Sequence, residues 1–270
     1  MANDGTIGME TRIVDAGGSV LQIREAGAGD PPLLLLHGLG GDLTTWTLNQ
    51  RALADGRRVI AVDLPGHGAS TKDIGTATVP HLARMLEGLP KALDLDRFHL
   101  LGLSFGGAIA LDLALRLGDR VQSLVCLSAT GLGAEINTNF IDGYLQADTA
   151  EAMRPLLSIV FHDERLINDA MVGYALAARS DPEFRSCVDL MSTTNFRDGH
   201  QLFTYDDRIG RLTIPIHIVW GREDRIVPVA HAERLAPDLP VTILDGVGHM
   251  PNVEAAEAFN RTVLGFLRQV

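Results

Sequence analysis

Cysteine is nearly absent from this sequence. Only Cys126 and Cys187 occur in 270 residues. They lie in unrelated contexts, which excludes a disulfide framework and a four-ligand zinc site. Both are expected to be small buried hydrophobes. Long apolar runs are missing as well, since none approaches the ~20 residues needed to cross a bilayer. The opening stretch "MANDGTIGMETRIVD" has neither a basic start nor a hydrophobic segment, so no secretion signal is expected and the cytoplasm is the expected compartment. Positive charge is scarce: 23 Lys and Arg face 34 Asp and Glu, for a net charge of −11. That field repels phosphate backbones and anionic lipid, so neither nucleic acid nor a membrane is an expected partner. A small molecule is, and a homodimer if the chain self-associates. No low-complexity tract or internal repeat is evident.

What the chain has in abundance is apolar side chain, 46% of all residues, enough to bury a large core. Its length suits one large α/β domain or two small ones. "TRIVD" (11–15) and "SVLQIRE" (19–25), joined by Gly17-Gly18, predict a β-hairpin. "PPLLLLHGLGG" (31–41) and "RRVIAVDLPGHG" (57–68) each read as a strand buried on both faces and ending in a turn. Helix is expected around 46–53, over 79–93 and over 106–117, with strands at 98–104 and 121–129. Late strands are expected at 214–221 and 241–246, and late helices over 229–235 and 254–267. Strands alternating with helices imply a mostly parallel sheet covered on both faces.

From about 131 to 208 the rhythm breaks. Helical periodicity continues without a convincing buried strand, which predicts an all-helical insertion closing over one edge of the sheet. The core is then 1–130 plus 209–270, and 131–208 forms a lid. The lid's apolar and aromatic residues are candidates to line a pocket for a small, mostly hydrophobic acyl or ester substrate, although most are expected to pack its own helices. One of its arginines, Arg154, Arg165, Arg179, Arg185 and Arg197, is a candidate to bind a substrate carboxylate, but each is expected by default on the solvated surface.

One hydroxyl interrupts the apolar stretch "LLGLSFGGAIAL" (100–111). Ser104 falls where a strand ends and a helix begins. Side chains two residues either side of so tight a turn would collide with backbone, so Gly102 and Gly106 are required sterically. The turn projects the hydroxyl above the sheet and aims the Phe105 amide at any anion forming beside it. A neutral serine needs an adjacent base, oriented in turn by a third group. His249, in the glycine-rich "GVGHMP" after a strand, sits where open α/β sheets build their sites. His217 reads as a core residue, while His67, His81, His162, His200 and His231 read as loop or surface residues. The orienting carboxylate is expected from "WGREDRIVP" (220–228), as Asp224 with Glu223 the alternative. A second backbone donor is expected from "HGLGG" (37–41), at the Leu39 amide, with His37 tying loops together through its ring.

With these residues placed, the chain resembles the α/β-hydrolase-fold serine enzymes. The matching motifs are "LLLLHGLGG", "VIAVDLPGHGAS", "LLGLSFGG", "IVWGREDRIVP" and "GVGHMPNVE", in family order from residue 33 to 254. The resemblance implies Ser104 as nucleophile, His249 as base, Asp224 as orienter, the Leu39 and Phe105 amides as oxyanion hole, and no metal or organic cofactor. "LSATGLGAEINTNFIDGYLQAD" with "WGREDRIVPVAHAERL" resembles the catalytic domain of the acetyltransferase component of acetoin dehydrogenase complexes. Those proteins usually carry an N-terminal lipoyl domain, and none is expected ahead of a first strand near residue 11. "GLS" and "GHMPNVE" are also similar to enol-lactone hydrolases. Carbon–carbon bond hydrolases of meta-cleavage products typically have asparagine and tryptophan where this chain has Leu103 and Met250. The activity expected is hydrolysis of a small ester, lactone or thioester, with transfer to a thiol such as dihydrolipoamide, carbon–carbon hydrolysis of a diketone, and ligand reception without turnover as alternatives.

Overall fold

In the computed structural model, residues 8–270 are described. Positions 1–7, part of the stretch in which no leader is expected, lie outside the described residues. Two short leucine- and valine-rich segments form the middle of the sheet. β3 (Leu33–Leu36) and β4 (Val59–Val62) are buried at every position, because helices cover both faces of a parallel sheet and leave no polar side. Around them lie β1 (Met9–Asp15), β2 (Val20–Ala26), β5 (Phe98–Leu103) and β6 (Val121–Leu127). A small hairpin, β7 (Phe196–Arg197) with β8 (His200–Gln201), precedes β9 (Ile216–Gly221) and β10 (Val241–Leu244). The main sheet runs β1-β2-β4-β3-β5-β6-β9-β10. β1 and β2 pair antiparallel, as do β2 and β4, and every later pair is parallel.

This is the expected α/β-hydrolase architecture, with differences at element ends. Helix does not run unbroken through 79–93: Val79–Leu86 ends and Leu89–Ala92 restarts. Pro90 has no amide to return to the Leu86 carbonyl, so the first helix stops there. The predicted helix near 46–53 is a 3-10 turn, Leu43–Trp46, followed by one short turn, Gln50–Leu53.

Between β6 and β9 stand four helices, Thr138–Gln146, Ala150–Val160, Asp169–Arg179 and Pro182–Asn195. The segment is not all-helical, because β7 and β8 pair across a turn at Asp198 (φ 49°) and Gly199 (φ 76°). Two consecutive left-handed residues suit a tight hairpin, a signal too short to read from periodicity. Among the described residues, no helix is long and apolar enough to cross a membrane.

Candidate active site

The strand β5 runs directly into the helix Phe105–Leu117, and the single residue between them bears the strain. Ser104 has φ 52° and ψ −120°, a conformation that a residue with a side chain adopts only when its surroundings hold it. The clamps are specific. Its amide donates to the Leu127 carbonyl at 2.9 Å, and its carbonyl accepts from the Thr130 and Gly107 amides at 3.0 and 2.8 Å. The flanking glycines are sterically necessary, as expected. A Cβ on Gly102 would fall 2.3 Å from the Gly106 carbonyl oxygen, and one on Gly106 would fall 2.2 Å from that of His37.

Ser104 faces a cavity of about 390 Å³ between the sheet's carboxyl end and the inserted helices. The wall is mainly apolar and includes Leu39, Phe105, Leu157, Val160, Phe161 and Met250. His249 lines the same cavity. Its Nδ1 donates to Asp224 Oδ2 at 2.8 Å, and the Asp224 side chain is wholly buried. The other oxygen, Oδ1, accepts the Ile226 and Val227 amides at 2.9 and 3.0 Å. Three donors therefore converge on one carboxylate and fix its plane. With Nδ1 carrying the proton, the lone pair of His249 lies on Nε2. The Ser104 hydroxyl forms no hydrogen bond among the described residues and is open to the cavity. Glu223 is turned elsewhere, accepting the Val247 amide at 2.9 Å. Of the two acids, it is Asp224 that meets the ring.

Leu39 and Phe105 both line the cavity, and the backbone amide of neither donates to a protein acceptor among the described residues. The Leu39 loop is held by two histidines. His37 donates from Nδ1 to the Gly38 carbonyl at 2.7 Å and accepts the Leu64 amide at Nε2 at 3.0 Å. His67 accepts the Gly40 amide at 3.0 Å and donates to the Pro65 carbonyl at 3.1 Å. Each needs the neutral Nδ1–H tautomer, and burial depresses the pKa of both. His37 ties the loops as expected. His67 lies in a loop, one of the two places expected for it, but it is fully buried there and performs the same task.

Two further contacts escaped sequence reasoning. Glu254 accepts the Gly248 amide at 2.8 Å and the His162 and Asp163 amides at 2.7 and 3.1 Å, joining the His249 loop to the insertion. Tyr174, on an inserted helix, donates to Asp42 and pairs with Thr44 Oγ1 at 2.8 Å, next to the Leu39 loop. Glu254 stands five residues after His249 in "GVGHMPNVE", and nothing in that spacing marks it as an acceptor of loop amides. Among the remaining histidines, His217 meets Thr242 Oγ1 at 2.9 Å, and His231, buried rather than superficial, meets Glu135 at 2.8 Å. Arg179 also corrects the expectation: it is buried and donates to the Leu145 and Ala147 carbonyls. Arg154, Arg165 and Arg185 pair with aspartates away from the cavity, and no arginine or lysine lines it. Cys126 and Cys187 are buried, as expected. Among the described residues, no three His, Cys, Asp or Glu side chains group as a metal site would need.

Comparison with known proteins places the fold in a family. Residues 31–256 match the family model for the alpha/beta hydrolase fold. The chain is 37% identical to the dihydrolipoyllysine-residue acetyltransferase component of the acetoin cleaving system of Pseudomonas putida, over 94% of this chain and 68% of that protein. It is 30% identical to the 2-hydroxy-6-oxo-2,4-heptadienoate hydrolase of Pseudomonas putida, over 95% of both. A crystallised variant of the meta-cleavage product hydrolase from Pseudomonas fluorescens IP01, complexed with acetates, superposes with a TM-score of 0.86 at 26% identity, covering 97% of this chain and 98% of that one.

Proposed function

This chain belongs to the α/β-hydrolase family, and from that premise we propose that it is a serine hydrolase cleaving a small, uncharged ester, lactone or thioester. The observation that carries this reading is the ring of His249, tied to a buried Asp224, on the wall of the cavity that the strained Ser104 faces. In the reaction, His249 Nε2 takes the Ser104 proton as Oγ attacks the substrate carbonyl. Asp224 holds the imidazole in the needed tautomer and stabilises its cation. The Leu39 and Phe105 amides receive the oxyanion, a contribution of about 3 kcal/mol per donor in comparable sites. The alcohol or thiol leaves with the proton from His249, and water then releases the acid through the same base. The inserted helices serve as a lid that excludes bulk water.

The cavity wall supports an uncharged substrate. With no lysine or arginine on it, a substrate carboxylate would enter an apolar site without a cation, which is strongly disfavoured. That weighs against the carbon–carbon hydrolase reading suggested by the relatives named for dienoates, as do Leu103 and Met250, both on the wall. A second reading, acyl transfer to a thiol, is favoured by the 37% identity to the acetoin-system acetyltransferase component.

The test is turnover of p-nitrophenyl acetate by the wild type and Ser104→Ala, with intact-mass detection of an acetylated chain. Steady turnover that Ser104→Ala abolishes supports the hydrolase. Stoichiometric labelling without turnover would instead indicate a ligand receptor. Added dihydrolipoamide separates the second reading: if it captures the acetyl group faster than water does, the protein is a transferase.

A further inference from the structure

One phenol on the cavity wall has its hydrogen bond still to make. Tyr144 lies on the inserted helix Thr138–Gln146, and its hydroxyl covers the loop that carries the Leu39 amide. A Cβ added to Gly40 would fall 2.8 Å from Tyr144 Oη, and one added to Gly38 would fall 3.8 Å from Ser104 Oγ. The two hydroxyls thus flank the same three residues of loop, whose end Cα atoms are at most about 7.6 Å apart. Tyr144 Oη forms no hydrogen bond among the described residues. Other hydroxyls on the wall are committed: Tyr174 to Asp42 and Thr44, Thr47 to the Thr44 carbonyl at 2.7 Å, and Thr130 to the Ser104 carbonyl at 3.2 Å. Thr45 also lines the wall and its hydroxyl is likewise unengaged, lying 3.1 Å from where a Cβ on Gly41 would fall, so the variant that tests Tyr144 leaves Thr45 in place.

The ring is fixed in place. Phe140 stacks on it with centroids 6.2 Å apart, and the Arg179 guanidinium carbon stands 5.0 Å from its centroid. Arg179 is only 4% exposed and is anchored on the carbonyl end of Tyr144's own helix. Burial raises the phenol's pKa, with the Arg179 charge opposing it, so the group remains an O–H donor at neutral pH. A donor facing an apolar cavity gives selectivity to any ligand oxygen that reaches it, because a ligand without that oxygen leaves the donor unpaired.

We propose that Tyr144 is a specificity-determining residue whose hydroxyl donates to an uncharged acceptor oxygen, keto or ether, that the substrate carries a few bonds beyond the scissile carbonyl. This rests on the acyl-enzyme reading above. The oxygen belongs either to the acyl chain or to the leaving group, and two matched ester pairs distinguish the sources. Ethyl butanoate against ethyl 3-oxobutanoate tests the acyl side. Butyl acetate against 2-methoxyethyl acetate tests the leaving group. Acid release is followed for the wild type and Tyr144→Phe, which keeps the ring and its packing.

The expected result is a loss of kcat/KM of about tenfold in the variant on the oxygenated member of one pair, with about twofold or less on its alkyl partner. Equal effects within both pairs would overturn the assignment. Should Tyr144→Phe fail to fold, the wild type alone still decides. The proposal then requires a preference of about tenfold for the oxygenated ester in one pair, after division by the alkaline hydrolysis ratio, and its absence in both overturns it. Failure of the underlying reading shows separately, as ester turnover that is missing in the wild type or undiminished in Ser104→Ala.

Discussion

Replacing Asp224 with asparagine changes one atom, and the local hydrogen bonds dictate how the new side chain sits. Oδ1 already accepts two backbone amides, from Ile226 and Val227. Turning the carboxamide the other way would set its NH2 against both of those N–H groups, so asparagine keeps its oxygen there and presents NH2 to His249. Nδ1 must then accept, the proton moves to Nε2, and the ring can no longer take a proton from Ser104. The loss is therefore one of tautomer with the geometry intact. In a serine triad that change lowers kcat by about 10⁴-fold. Stability falls far less, by about 1–3 kcal/mol, because one N–H of the buried amide is left without a partner. The assay is p-nitrophenyl ester turnover with a thermal melt beside it. Glu223→Gln is the control, since among the described residues the Glu223 side chain accepts the Val247 amide alone, and it should change the rate by a few-fold at most. A folded Asp224→Asn protein retaining more than about a tenth of the wild-type rate would refute the reasoning, as would a Glu223→Gln protein equally impaired.

Gly106→Ala must push its Cβ against the His37 and Leu36 carbonyls; a shift of about 1 Å in the serine turn is expected to lower kcat/KM by about 100-fold or more, measured on the same ester. Glu254→Gln leaves one of two amide-accepting oxygens as a donor, so the His249 loop loosens from the insertion; kcat/KM is expected to fall roughly tenfold with about 1–3 kcal/mol of stability lost in urea melts. Burial, with the charges of Arg57 and Arg97 adding, lowers the His99 pKa from 6.5 to about 4. The unfolded chain therefore takes up a proton at His99 between pH 6.5 and 4 that the folded chain refuses, and stability falls as pH falls through that window; His99→Asn should flatten the decline in Tm, and an unchanged slope would contradict the assignment. Tyr174→Phe cuts the hydroxyl's contacts to Asp42 and Thr44; hydrogen exchange across 169–179 should quicken while global stability moves by about 1 kcal/mol or less.

The parts legible in the sequence were those where chemistry allows few residue types. A strained serine turn admits only glycine on either side, and the Cβ positions at Gly102 and Gly106 show why. Strands buried on both faces read as short, near-continuous apolar runs, so β3 and β4 are visible without periodicity. Order along the chain does not separate Asp224 from Glu223, because both follow β9 in one charged turn, and only the family resemblance favours Asp224. The deciding fact is which carboxylate the Ile226 and Val227 amides hold in place. Element ends were less legible, since Pro90 stops a helix through an amide it lacks, while the flanking pattern still reads as helical.

The insertion was the least legible part, for a related reason. Its helices were visible by periodicity, but which of their polar groups face the core depends on how the helices are set over the sheet. Arg179 illustrates this. As one of several arginines in a polar-rich segment it read as solvated, yet it caps the carbonyl end of another helix and lies over the Tyr144 ring. Tyr174 and Glu254 likewise join segments 132 and 92 residues apart in sequence. Under the proposed reaction, the core loops answer to the transition state of acyl transfer, which is the same for many substrates, so their residue types are narrowly set. Under the same proposal the inserted helices meet the variable part of the substrate, and their residues answer to its shape and polarity instead. Chemistry was therefore readable from short motifs, whereas selectivity depends on contacts, such as Tyr144 over the Leu39 loop, that exist only once the helices are placed.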